Sequence, residues 1–103
     1  MNKLKSEIIK FSKLLNSRKL SALRSGNISV RFKKGFFITP SGKKYSSLKN
    51  KDIVYVSLNG KFDKKLGIPS SEWKFHQDIY LKKEEANAIA VSYTHLTLPT
   101  RIF

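Results

Sequence analysis

Apolar positions recur three and four residues apart through the first segment of the chain: Leu4, Ile8, Phe11 and Leu15, with Ile9 and Leu14 beside them and Lys, Ser and Asn between. That spacing predicts an amphipathic helix over residues 4–20 whose stripe packs on a core. Ser25-Gly26-Asn27 breaks it. A period of two follows, with Ile28, Val30 and Phe32 on one face and the polar Ser29 and Arg31 on the other. Lys33-Lys34-Gly35 supplies a turn, and Phe36–Thr39 reads as the returning strand of a hairpin closed by Pro40-Ser41-Gly42. Ser46–Asp52 is polar and suits a short helical turn. The β-branched and aromatic run Ile53–Leu58 predicts a further strand, and Asn59-Gly60 a hairpin turn with Lys61-Phe62 beginning the return. Residues 63–69 form a loop. Ser70-Ser71-Glu72 opens a second helix, with a serine N-cap and an acid in the first turn, running to about Lys83. Ala86–Val91 reads as another strand. With no repeat and no internal linker, these elements make one mixed α/β domain.

Composition narrows the class. At 103 residues, 40% hydrophobic and 12% aromatic, the chain has the material for one small core. It holds no cysteine, which removes disulfides and Cys-ligated metal and suits a reducing compartment. No run of about 18 apolar residues is present, and Glu7, Lys10, Ser12 and Lys13 interrupt any signal-peptide core, so a cytoplasmic chain is expected. The formal charge of +14, from 21 basic and 7 acidic residues, calls for an anionic partner or a solvated surface. The lysines come in ones and twos (Lys33-Lys34, Lys43-Lys44, Lys64-Lys65, Lys82-Lys83) rather than in a block, which favours solvated lysines over a nucleic-acid footprint.

Three short polar loops carry the candidate chemistry: Gly26-Asn27-Ile28-Ser29, Thr39-Pro40-Ser41-Gly42 and Pro69-Ser70-Ser71-Glu72. Each offers small side chains and accessible backbone N–H groups, and the third opens a helix, where the macrodipole favours an anion. Taken singly, each is also an ordinary turn or helix start. Glu72 reads either as a first-turn carboxylate complementing the helix dipole or as a general base beside a bound phosphate ester. His76, four residues on, is expected to pack or hydrogen-bond rather than bind metal. A catalytic zinc site needs about three protein ligands, and the chain holds only His76 and His95, so it cannot build an all-histidine site alone.

Read in order, GNISVR at 26–31, FITPSG at 37–42, DIVYVSLNG at 52–60, PSSEW with FH at 69–76 and NAIA at 87–90 resemble the class II aldolase/adducin family. The resemblance runs from about Leu20 to Ala90 and covers about the first half of a typical member. It implies a three-layer α/β/α fold with a mainly antiparallel central sheet, incomplete here. It implies phosphate contacts from Asn27, Ser41, Gly42, Ser70 and Ser71, with Thr39 assisting, and an acid/base role for Glu72. The implied reaction is reversible cleavage of a ketose 1-phosphate to dihydroxyacetone phosphate and an aldehyde, with one divalent metal, zinc, as Lewis acid. The related epimerases usually carry Asp in place of Glu72, and the related dehydratases Ala in place of Ser71, so PSSEW leans toward an aldolase.

The chain departs from the family after Ala90. There the family continues into a His-x-His pair that supplies two zinc ligands; here those positions fall on Val91 and Tyr93, and a shift of two residues recovers only His95. Residues 1–90 are therefore read as the N-terminal part of the family domain, and 91–103 as a non-family tail of translated adapter or misassembled sequence. The full-length protein is expected to be a homotetramer with sites at subunit boundaries, and the chain itself to have weak activity or none. The readings set against this are a related sugar-phosphate epimerase or dehydratase of the same family, a small basic nucleic-acid-binding domain, and a non-catalytic adducin-type relative.

Overall fold

In a computed structural model, described over residues 2–17, 26–42, 47–91 and 100–103, the chain forms α1 (Asn2–Ser17), β1 (Asn27–Phe32), β2 (Gly35–Ile38), β3 (Val54–Ser57), α2 (Trp73–Lys82), β4 (Ala88–Val91) and β5 (Thr100–Ile102). The strands make one sheet in the order β3-β2-β1-β4-β5, every neighbouring pair antiparallel. A helix covers each face, which gives three layers.

The alternation in the strands builds both interfaces. Ile28 of β1, Phe37 of β2 and Ala90 of β4 point to one face and pack with Ile8 and Ile9 of α1 and with Leu48 and Ile53. Their neighbours Phe36 and Ile38, with Val54, Val56, Ile89 and Val91, point to the other face and pack under Tyr80 of α2. Each large aliphatic side chain buried this way contributes about 1.5–3 kcal/mol relative to exposure. Within α1, Ser12 is fully buried and returns its hydroxyl to the Ile8 carbonyl at 2.7 Å, so it adds no unpaired polar group to the core. The side chains of Phe11, Leu14 and Leu15, and residues 18–20 of the expected helix, lie outside the described residues.

The hairpin β1–β2 turns on Lys33-Lys34, since Phe32 already pairs with Gly35. Lys33 takes the left-handed conformation at φ 52°, which a two-residue hairpin demands. Gly35 is required by a close approach: a Cβ there would stand 2.5 Å from the Val56 carbonyl oxygen and 2.5 Å from the Tyr55 hydroxyl.

The face of β1 that carries Ser29 and Arg31 is covered by α2; Ser29 is wholly buried and Arg31 half-buried. The structure corrects several expectations. Asn59-Gly60 does turn the chain, with Gly60 at φ 86° and its N–H on the Ser57 carbonyl at 2.8 Å. No return strand follows, however: the Lys61 carbonyl still accepts the Ser57 N–H at 2.9 Å, but Phe62 packs edge-on against Trp73, ring centroids 5.8 Å apart. The N-cap of α2 is Glu72 rather than a serine. The strand expected over 86–91 is β4, shortened to Ala88–Val91, and the polar stretch before β3 forms a 3₁₀ turn at Asn50–Asp52. β5, where no strand was expected, pairs Thr100 with Val91 and Ile102 with Ile89, and the Phe103 N–H reaches the Ala88 carbonyl at 2.7 Å.

Candidate functional site

The three polar loops meet at one end of the sheet. The Thr39 N–H donates to the Ile28 carbonyl at 3.0 Å, and the Ile28 N–H donates to the Thr39 hydroxyl at 3.2 Å, fastening the second loop to the first. The Ser70 N–H donates to the Thr39 carbonyl at 2.9 Å and the Ser41 N–H to the Ile68 carbonyl at 3.0 Å, with Pro40 opposite Pro69 in an isolated antiparallel bridge. The second loop is thereby fastened to the third.

Within this frame Asn27, Thr39 and Ser70 are buried, whereas Ser41, Gly42, Ser71 and Glu72 are exposed. Gly42 sits at φ 73°, and among the described residues nothing comes within 4 Å of where a side chain would stand, which suits a close approach to the backbone. The Ser70 hydroxyl accepts the Glu72 N–H at 3.2 Å and fixes the entry to α2, while its own proton stays available to an acceptor. Glu72 lies outside the regular helix, at φ −88° and ψ 12°, and its carboxylate makes no capping bond. It does not share the surroundings of His76, as a spacing of four would suggest: Glu72 is exposed and His76 has no exposed surface.

Behind the loops runs a buried polar chain that the sequence did not reveal. The His76 Nε2 meets the Asn27 Oδ1; its Nδ1 meets the Ser29 hydroxyl at 2.6 Å; and that hydroxyl meets the Tyr80 hydroxyl at 2.8 Å. Burial pushes the His76 imidazole down to about 3, so it is neutral at ordinary pH. Burial pushes the Tyr80 phenol up to about 12, against the opposing pull of the Ser29 hydrogen bond and the Arg31 charge. Phe36 lies nearly parallel to the imidazole, ring centroids 6.4 Å apart. Arg31 seals the outer end: its guanidinium lies 4.7 Å from the centre of the Tyr80 ring and donates to the carbonyls of Tyr80 at 2.9 Å, Lys83 at 3.0 Å and Ala86 at 2.8 Å, closing the C-terminal end of α2. The available signals were Asn27 and Ser29 two apart on a strand and His76 and Tyr80 four apart on a helix, each pair sharing one face.

Among the described residues no group of three His, Cys, Asp or Glu could hold a metal ion. His95 and Tyr93 lie outside the described residues. Val91 is described: it stands opposite Asn27 in the β1–β4 ladder and is 2% exposed. The position where the resemblance puts the first zinc-binding histidine thus adjoins the loops but carries an aliphatic side chain without a donor. Two concave surfaces lie elsewhere among the described residues. One of about 240 Å³ is apolar, between α1 and the sheet beside Ile28, Ala90 and Phe103; the other, of about 620 Å³, is lined by Lys5, Lys51, Tyr55 and Lys61. Neither includes a residue of the three loops except Ile28.

A three-layer fold around an antiparallel sheet, with three polar loops tied together at one end, is the architecture of the class II aldolases. The family described as Class II Aldolase and Adducin N-terminal domain matches residues 6–99, and the chain belongs to it. Among individual proteins, the chain is similar to the L-fuculose phosphate aldolase of Haemophilus influenzae, 46% identical over 70 residues that cover 68% of this chain and 32% of that protein. It is also similar to the 5-methylthioribulose-1-phosphate/5-deoxyribulose-1-phosphate aldolase of Escherichia coli, 38% identical over 100 residues that cover 97% of this chain and 46% of that one. A solved structure of an L-fuculose 1-phosphate aldolase superimposes with a TM-score of 0.86 at 34% identity, covering 92% of this chain and 46% of the other. The chain therefore spans between a third and a half of the length of these relatives.

Proposed function

We propose that the whole protein cleaves a ketose 1-phosphate to dihydroxyacetone phosphate and an aldehyde, and that this chain supplies its phosphate site and its proton-transfer group. The observation that carries the reading is the continuous backbone bonding of residues 27–28, 39–41 and 68–70, which brings the small polar loops to one place at the N-terminus of α2. A phosphate there takes main-chain N–H donors from Gly42 and Ser71, hydroxyl donors from Ser41, Ser70 and Ser71, and the Asn27 amide. The α2 macrodipole adds to these donors. Thr39 assists indirectly, since its hydroxyl holds Ile28. Glu72, one residue beyond the serines and exposed, is the residue we assign to moving a proton at a carbon close to the ester.

The carbanion left by such a transfer needs an electrophile, for which the family resemblance implies zinc. The residues described here do not fit a zinc site, because Val91 stands in a ligand position and no donor cluster is present among them. Zinc dependence accordingly belongs to the proposal for the whole protein, as do cytoplasmic location, a homotetramer, and the division at residue 90 from a tail foreign to the family. Among the described residues no helix is long and apolar enough to cross a membrane.

The test is titration of ¹⁵N-labelled chain with inorganic phosphate, followed by amide chemical shifts. Shifts concentrated at Asn27, Ser41, Gly42, Ser70, Ser71 and Glu72 support the reading. Shifts spread over the exposed lysines, with stronger binding to a single-stranded oligonucleotide, would replace it with the charge-driven alternative.

A further inference from the structure

We propose that His76 is a positioning residue for the phosphate site: through the Ser29–Tyr80 chain behind it, its ring fixes the rotation of the Asn27 carboxamide so that the amide's donor end, and not its oxygen, is offered to the anion. The inference rests on the reading of the loops as a phosphate site and adds a residue that touches no ligand.

The Asn27 Oδ1 can only accept, so the Nε2 facing it must carry the imidazole hydrogen. A neutral ring with its hydrogen on Nε2 has a bare Nδ1, which takes the Ser29 hydroxyl proton at 2.6 Å. With its proton committed, the Ser29 oxygen accepts from the Tyr80 hydroxyl at 2.8 Å. All four groups are buried, with exposures of 2% for Asn27, 0% for Ser29, 0% for His76 and 1% for Tyr80, so the bonds between them lie away from solvent. Either hydroxyl could donate across the Ser29–Tyr80 contact; the more acidic phenol is assigned here as the donor, which sets the polarity from the Tyr80 end. Reversed, the chain would leave the Asn27 Nδ2 against the ring and turn its carbonyl oxygen toward the anion. A phosphate would then meet an acceptor where it needs a donor. A carboxamide is nearly symmetric in shape, so packing alone does not choose between the two rotations; the imidazole tautomer does.

Two measurements on the 103-residue chain test this. In the wild type, ¹⁵N chemical shifts and couplings of the His76 ring at neutral pH are expected to show the neutral Nε2–H tautomer; an Nδ1–H tautomer overturns the proposal. In the second, inorganic phosphate is titrated into His76→Phe and His76→Gln, with urea stability measured on the same samples. His76→Phe keeps a ring but removes both nitrogens, and a loss of affinity of about tenfold, one hydrogen bond to a charged group, is expected. His76→Gln keeps an N–H donor toward Asn27 and is expected to recover affinity to within about threefold of wild type. Phosphate binding by His76→Phe equal to wild type, or loss in both variants in proportion to lost stability, overturns the positioning role. If the wild type itself does not bind phosphate at the loops, the phosphate reading fails first; phosphate bound there with an Nδ1–H ring sinks only the positioning of Asn27. Because the tautomer is read on the unaltered chain, the test stands even where His76→Phe does not fold.

Discussion

Replacing His76 by Gln should flatten the acid limb of the stability profile. The unfolded chain takes up a proton on this side chain near the ordinary value of 6.5, and the folded chain only near 3, because burial disfavours the imidazolium. Between those values the unfolded state holds more protons. The depressed value therefore contributes stability that is fully present above 6.5 and is lost as the pH falls toward 3. At pH 5 the folded ring is still neutral, and the roughly 1.5 units below 6.5, at about 1.4 kcal/mol each, amount to about 2 kcal/mol lost relative to pH 7.5. The assay is urea unfolding of wild type and His76→Gln at the two pH values. With a slope of about 1 kcal/mol/M for a domain of this size, the wild-type midpoint should fall by about 1–2 M more than that of the variant. Every other ionisable group is common to the two chains and cancels in the difference. Parallel profiles, agreeing within about 0.3 kcal/mol, would show that the ring is not buried neutral and would refute the reasoning.

Two further substitutions probe how the layers are joined. Arg31→Ala removes three bonds to carbonyls at the end of α2 and should lower stability by about 1.5–3 kcal/mol by thermal unfolding; Arg31→Lys should recover little, since an ammonium cannot reproduce the planar fork over Tyr80. Gly35→Ala forces a methyl against the Val56 carbonyl and the Tyr55 hydroxyl, and should cost about 1–3 kcal/mol, seen as a lower melting temperature with the β2–β3 amides losing hydrogen-exchange protection first.

The sequence showed the hairpin of β1 and β2, the strand before Asn59-Gly60 and the helix after the serines, because each is set by local spacing and turn chemistry. It also placed the polar loops in an order that the family resemblance could read. Alternation in β1 separated Ile28 from Ser29 but could not say which face is wet; Ser29 is dry because a helix more than forty residues later in the chain lies over it. A small hydroxyl in a strand looks the same whether it meets water or a tyrosine. The missing return strand after Gly60 has the same origin, as Phe62 finds Trp73 rather than a strand partner. β5 was invisible for another reason: three residues carry too little periodicity to stand out, and their pairing with β4 is long-range.

The seam between Pro40 and Pro69 has a consequence for how such a protein diversifies. The anion grip proposed here joins the Gly42 and Ser71 main-chain N–H groups to the Asn27 amide and three serine hydroxyls, on loops fastened by main-chain bonds, and none of these groups depends on what is attached to the far side of the ester. Substitutions elsewhere in the cavity wall can change which sugar or thioether fits while the handle by which it is held stays the same. Under that proposal, relatives named for fuculose phosphate and for methylthioribulose phosphate would share the held end and differ at the other.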